Sequence, residues 1–199
     1  MTLQQLRKIM LHAPLQRLKR FIAPLSDAME EFDVNTPARQ AAFLAQLAHE
    51  SGELRYMEEI ANGTGYENNT DLQNHLPEAK AWAPDGRAGP WFKGHGPIQV
   101  TGYKNHKRFS RILFPEDPER LLREPGELTM PQTGCRAAAA FFREEGCNEA
   151  ADAGDFLLVS QIVNVRPSQR GPNGRIPNGW VERQSYHKRA IAALTQADT

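Results

Sequence analysis

"NTPARQAAFLAQLAHESG" (residues 35–52) decides how this chain folds. Asn35 or Thr36 offers a capping oxygen, Pro37 suits a first helical turn, and Gly52 suits the stop. Phe43, Leu47 and Glu50 fall at i, i+4 and i+7, so they share one helix face. A carboxylic acid therefore rides on the apolar face, in the last turn. Partial burial and the negative helix end both disfavour its ionised form. A carboxyl kept protonated near neutral pH is what a general acid needs. A lone glutamate in this place would more simply bond a loop and hold the helix end. The continuation "ELRYMEE" (53–59) adds Glu58 and Glu59 just past the stop, where the chain can turn back to face Glu50. Paired carboxylates of that kind flank the bond broken in glycoside hydrolysis.

The rest of the chain predicts a mainly α architecture. Residues 2–32 carry apolar side chains at helical spacing, and Pro14 and Pro24 are expected to divide them into short helices. Residues 62–97 are rich in Gly, Pro and Asn without a sustained period, which reads as a long irregular segment. Tyr66, Trp82, Trp91 and Phe92 argue that it is ordered. Helical patterns follow at 101–114, in "PQTGCRAAAAFFREEG" (131–146), in "DFLLVSQIVNV" (155–165) and in "WVERQSYHKRAIAAL" (180–194). Strand signals are confined to a small hairpin within 90–101. One domain over 1–199 is expected, with the helices of 1–35 packed on it and 62–97 as a long cleft loop.

Composition narrows the partners. Lys+Arg and Asp+Glu are both 24, so the formal charge is zero and no global field favours nucleic acid. Residues 1–20 hold Arg7, Lys8, Arg17, Lys19 and Arg20 without an acid, either as a solvated face or as a weak anchor to an anionic polymer. Cys135 and Cys147 read as reduced core thiols. No apolar run approaches a membrane span, and the N-terminus lacks the continuous apolar core of a signal peptide. The expectation is synthesis in the cytoplasm, with export or release left to another factor. "HES" lacks the second histidine of a zinc helix, because position 53 is Glu53. No P-loop or dinucleotide fingerprint occurs.

"FLAQLAHESGELRYMEE" (43–59), "FKGHGPIQVTGYKNH" (92–106), "SQIVNV" (160–165) and "NGWVERQSYHKRA" (178–190) together resemble the family 19 glycoside hydrolases. These are the plant-type chitinases with their bacterial and phage relatives, endolysins among them. The resemblance runs in order over about residues 36–190, and its middle motif is the most specific. It implies a lysozyme-like, two-lobed α-helical fold with a central cleft. It also implies inverting cleavage of β-1,4 bonds at N-acetylated amino sugars, without metal or cofactor. By that resemblance Glu50 is the general acid, Glu59 the general base, and Thr101 helps hold the attacking water. Gln99 and Asn105 match sugar contacts, and Asn164 and Arg183 resemble later cleft residues. Tyr66 and Trp91 either stack on sugar faces or pin the loop. Two positions depart from the family pattern. His95 stands where an arginine is usual, placing a titratable group at a substrate-contact position, and His106 replaces a tyrosine. The loop 166–178 replaces a compact turn. Glu58 stays a rival to Glu59 for the base.

The expected partner is peptidoglycan or a chitin-type glycan, bound by a monomer without membrane insertion. A short chain, no separate chitin-binding module, no signal and few cysteines favour peptidoglycan and an endolysin-like role at the wall after release. Chitin is the alternative. A catalytically silent glycan-binding relative is the reading from another class, and the retained Glu50, Glu59 and Thr101 argue against it.

Overall fold

Thr36 and Pro37 start the helix on which the molecule is built. In the computed structural model, which describes residues 1–195, Thr36 Oγ1 accepts the Arg39 N–H at 3.2 Å. Pro37 takes a position whose N–H would have had no helical partner. The helix α3 then runs Pro37–Glu50, and every residue from Ala41 to Ala48 is buried. It is thus enclosed on all sides rather than on the Phe43–Leu47 face alone. Around it lie α1 (Leu3–Ile9), α8 (Pro131–Glu144), α9 (Cys147–Asp152), α10 (Phe156–Asn164) and α11 (Trp180–Thr195), with α11 in the most extensive contact. Small side chains permit this close approach. Ala41, Ala42, Ala45 and Ala48 of α3 and Ala190 and Ala193 of α11 are all essentially inaccessible to water.

The helix α2 (Leu15–Glu31) corrects one expectation. Pro14 does stand at its start, but the helix passes through Pro24 without dividing. A proline inside a helix removes one hydrogen bond and costs ~3 kcal/mol or more. Leu18, Phe21, Leu25, Ala28 and Met29 are buried on both sides of it, on a helix set against α8. Burying each large apolar side chain contributes about 1.5–3 kcal/mol, so the continuous stripe outweighs the local penalty.

A second, smaller core forms the other lobe. Ala79, Ala88, Phe92, Tyr103 and Leu122 meet there, from α4 (Pro77–Trp82), α5 (Ala88–Trp91), α6 (Tyr103–Leu113), α7 (Arg120–Arg123) and the residue after α5. The segment 62–97, read as irregular, therefore contains two short helices and a 3-10 turn at Thr64–Tyr66. Their shortness is what hid them, since fewer than two turns leave no period to detect. Strand pairing among the described residues is limited to isolated antiparallel bridges, Glu58 with His95 and His95 with Val100. Cys135 and Cys147 are buried free thiols, both pushed up by burial. Among the described residues no helix is long and apolar enough to cross a membrane.

The exit from α3 is unusual backbone. Gly52, Glu53 and Leu54 all have positive φ, at 56°, 57° and 64°. A non-glycine residue in that region costs of order 1–3 kcal/mol and needs support. Ser51 Oγ accepts the Leu54 N–H at 2.8 Å. Glu53 is only 3% exposed and holds the turn. Its carboxylate accepts the His12 N–H at 2.7 Å and the Tyr186 hydroxyl at 3.1 Å, tying the turn to the N-terminal segment and to α11. Glu53→Ala should therefore leave one buried donor, the Tyr186 hydroxyl, and one partly buried donor, the His12 N–H, unmet and lower stability by about 1–3 kcal/mol in urea unfolding. A loss below about 0.5 kcal/mol would contradict this role.

Candidate active site

Glu50 ends α3 with its side chain 20% exposed, and its partner is the guanidinium of Arg183, which is wholly buried on α11. Arg183 Nη2 donates to Glu50 Oε1, Nη1 donates to Gln46 Oε1, and Nε donates to the Asn178 carbonyl at 2.9 Å. Gln46 in turn donates to Ser160 Oγ of α10 at 2.8 Å. A buried cation thus stands against Glu50, a neighbour that burial and the helix end alone do not announce. Gln46, Ser160 and Asn178 were not singled out from the sequence. One signal existed, a lone amide inside the apolar run "AAFLAQLA" (41–48).

Two neighbours fix this corner. A Cβ on Gly179 would lie 2.1 Å from the His49 ring, so only glycine lets the start of α11 close over the last turn of α3. His49 Nδ1 stands 2.9 Å from Glu182 Oε2, a charged contact only when the ring is protonated. Burial, with the charge of Arg183 next, holds the imidazole below its ordinary value. Among the described residues no three His, Cys, Asp or Glu side chains gather as a metal site requires.

Glu59 belongs to a different environment. Its N–H donates to the Gly94 carbonyl at 2.8 Å, while Met57 O accepts the Gly96 N–H at 2.8 Å, pairing 57–59 with 94–96. Tyr66 Oη donates to Glu59 Oε1 and the Gly94 N–H donates to Oε2, both at 2.9 Å. Burial, then this hydrogen bond, raises the Tyr66 phenol. Glu58 lies on the other side of the strand-like segment. It is exposed and pairs with Lys93 Nζ at 2.7 Å, which holds its carboxyl below the usual range. Alternation along extended backbone separates the two neighbours.

Gly94 also joins Glu59 to the middle motif. A Cβ there would lie 2.5 Å from Gln99 Oε1 and 3.1 Å from Glu59 Oε2, so the amide and the carboxylate converge on it. Gln99 has φ of 58° and donates through Nε2 to Gly96 O at 2.9 Å. Thr101 Oγ1 donates to Gln99 O at 2.9 Å, and Asn105 Nδ2 donates to Thr101 O at 2.8 Å. Gln99, Thr101, Asn105 and Asn164 all line one pocket of about 530 Å³. Asn164 Oδ1 accepts the Asn178 N–H at 2.8 Å. The pocket is thus linked to Glu50 through Asn164, Asn178 and Arg183, and to Glu59 through Gln99 and Gly94. Neither carboxylate lines this pocket itself.

Two expected sugar contacts lie elsewhere. Trp91 donates its indole N–H to Leu122 O at 3.0 Å and packs on the smaller core, so it pins the loop. His95 is only 4% exposed and faces His106 inside the protein, with Nδ1 at 3.2 Å from His106 Nε2. The expectation of His95 as a substrate contact is corrected accordingly. Tyr66 is half-buried, and its hydroxyl is bound to Glu59.

His106 Nδ1 lies 2.9 Å from Gly102 O, which makes Nδ1 its donor and Nε2 the acceptor for His95. Burial pushes His95 down to about 4 and His106, with His95 as a second cause, to about 3. The unfolded chain takes up protons at both rings below about 6.5, whereas the folded one does not until about 4. The full contribution of the pair is present above about 6.5 and is lost as pH falls toward 4. Urea midpoints should decline across that window, and less steeply in a His95→Gln/His106→Gln protein. Equal slopes in the two proteins would contradict the assignment. Gly94→Ala should keep the fold, displace the Gln99 amide and lower turnover at least tenfold by mispositioning. Unchanged turnover would show that the convergence on Gly94 is unimportant.

No protein-family model matches the chain. Solved structures do. Chitinase C from Streptomyces griseus HUT6037 superposes with a TM-score of 0.72 at 18% identity, covering 98% of this chain and 93% of that one. A bacterial family 19 chitinase gives 0.68 at 20% identity, covering 98% and 95%. A class IV family 19 chitinase from Zea mays gives 0.60 at 19% identity, covering 98% and 92%. The chain therefore has the lysozyme-like α-helical fold of the family 19 chitinases.

Proposed function

We propose that this protein is an inverting glycoside hydrolase that cuts β-1,4 bonds between N-acetylated amino sugars. The observation that carries the reading is the connection of two carboxylates to one amide-lined pocket, Glu50 through Arg183, Asn178 and Asn164, and Glu59 through Gly94 and Gln99. Glu50 has one oxygen engaged by Arg183, and Oε2 has no hydrogen-bond partner among the described residues. Glu59 is held by two neutral donors. In the proposed reaction Glu50 delivers a proton from Oε2 to the leaving glycosidic oxygen. Glu59 takes a proton from a water, whose oxygen adds to the anomeric carbon from the opposite face. Thr101 commits its hydroxyl proton to Gln99 O, so its lone pairs remain to accept from that water. Gln99, Asn105 and Asn164 offer the neutral amides that suit acetamido and hydroxyl groups. Bacterial peptidoglycan is the proposed glycan, with the bacterial wall as the place of action. Chitin contains the same linkage and is the second reading, favoured by the chitinases that share the fold.

Glu59→Gln is the cleanest test. The amide keeps an acceptor for Tyr66 or Gly94, so stability should hold while hydrolysis falls by ~10²–10⁴-fold. Glu58→Gln should fall less than about threefold, because that side chain faces Lys93. Larger damage from Glu58→Gln would move the base. Glu50→Gln should also abolish activity, but it removes the counter-charge of a buried arginine and so should cost about 3 kcal/mol of stability as well.

A further inference from the structure

The pocket lined by Gln99, Thr101, Asn105 and Asn164 also carries Arg108, Arg166 and Arg170 against a single acid, Glu145. The chain as a whole has no net formal charge, so positive charge is concentrated at this wall. The three arginines are not equivalent. Arg108 Nη1 meets Glu145 Oε1 at 2.5 Å. Arg170 donates to the carbonyls of Val165 and Ile162 at 3.0 and 3.1 Å, which holds the turn after α10 without neutralising its own charge. Arg166 stands two residues beyond Asn164 and is exposed, and its guanidinium has no hydrogen bond or ion pair among the described residues.

A neutral amino-sugar chain presents hydroxyls and acetamides, for which the amide side chains suffice. Peptidoglycan differs in one chemical respect that matters here. Alternate sugars carry a lactyl-linked peptide whose carboxylates project from the glycan. A guanidinium accommodates a carboxylate through two parallel N–H donors. We propose that Arg166, backed by the charge of Arg170, is a specificity-determining residue that binds a carboxylate of the substituent beside the glycan chain. This rests on the glycosidase reading above and selects carboxylate-bearing glycan over chitin. The contact is open to water, so its effect is moderate and weakens with salt.

The test compares kcat/KM on peptidoglycan glycan strands and on chitin oligomers, for wild type and Arg166→Gln. A third substrate is the same strands with their carboxyls converted to amides. The expected result is a ratio of strand to oligomer activity that falls about fivefold to tenfold in Arg166→Gln. On amidated strands wild type should drop by a similar factor and the variant little further. A salt-dependent preference lost in the variant adds support. Equal losses on strands and oligomers, or no loss on strands, would overturn the role of Arg166 while leaving the glycosidase reading standing. Wild-type protein that cuts none of the three substrates would overturn both.

Discussion

A guanidinium with no access to water has to be answered where it lies, and Arg183 is answered by Glu50, Gln46 and the Asn178 carbonyl. Desolvating such a charge without partners costs several kcal/mol, so these groups are constrained together. That one requirement sets the relation of α11 to α3 and the course of the loop that returns through Asn178. It also sets the place of Asn164, which accepts from the backbone of Asn178. Glycine at 179 is the local condition for it, since the His49 ring occupies the volume a side chain would need. The enclosure of α3 by small residues follows the same logic. Only helices that approach closely can bury Gln46 deeply enough to meet both Ser160 and Arg183.

The second carboxylate is built by other means. Glu59 sits on extended backbone paired to 94–96, held by a phenol hydroxyl and a peptide N–H, with no ion pair among the described residues. Two carboxylates, one against a buried positive charge and one among neutral donors, are placed in environments that differ by design of the fold. Glu58, one residue away, illustrates the alternative fate, an exposed carboxylate paired to a lysine.

Much of this was legible because it is local. The cap at Thr36, the stop near Gly52, the long helices after residue 100 and the carboxylate on the face of α3 all follow from spacing within one element. What escaped notice lies in contacts between distant segments. Arg183 could be matched to a motif, but no spacing rule pairs it with Glu50, 133 residues earlier. His95 and His106 read as two separate departures from a family pattern. In space they are a single buried pair, neutral near neutral pH. Trp91 had two readings, and the choice depended on whether Leu122 offered a carbonyl to its indole, which the sequence does not encode locally. Pro24 misled in the opposite direction. Its local rule is sound, yet packing of the stripe around it prevails.

The proposed roles of Glu50 and Glu59 have a stereochemical signature that no binding or stability measurement shares. Proton NMR of the anomeric signals during the first minutes of hydrolysis reads it directly. Attack of a Glu59-activated water on a β-linked substrate predicts that the α-anomer appears first and then mutarotates toward equilibrium. A product formed first as the β-anomer would mean retention, and the division of roles between the two carboxylates would be contradicted.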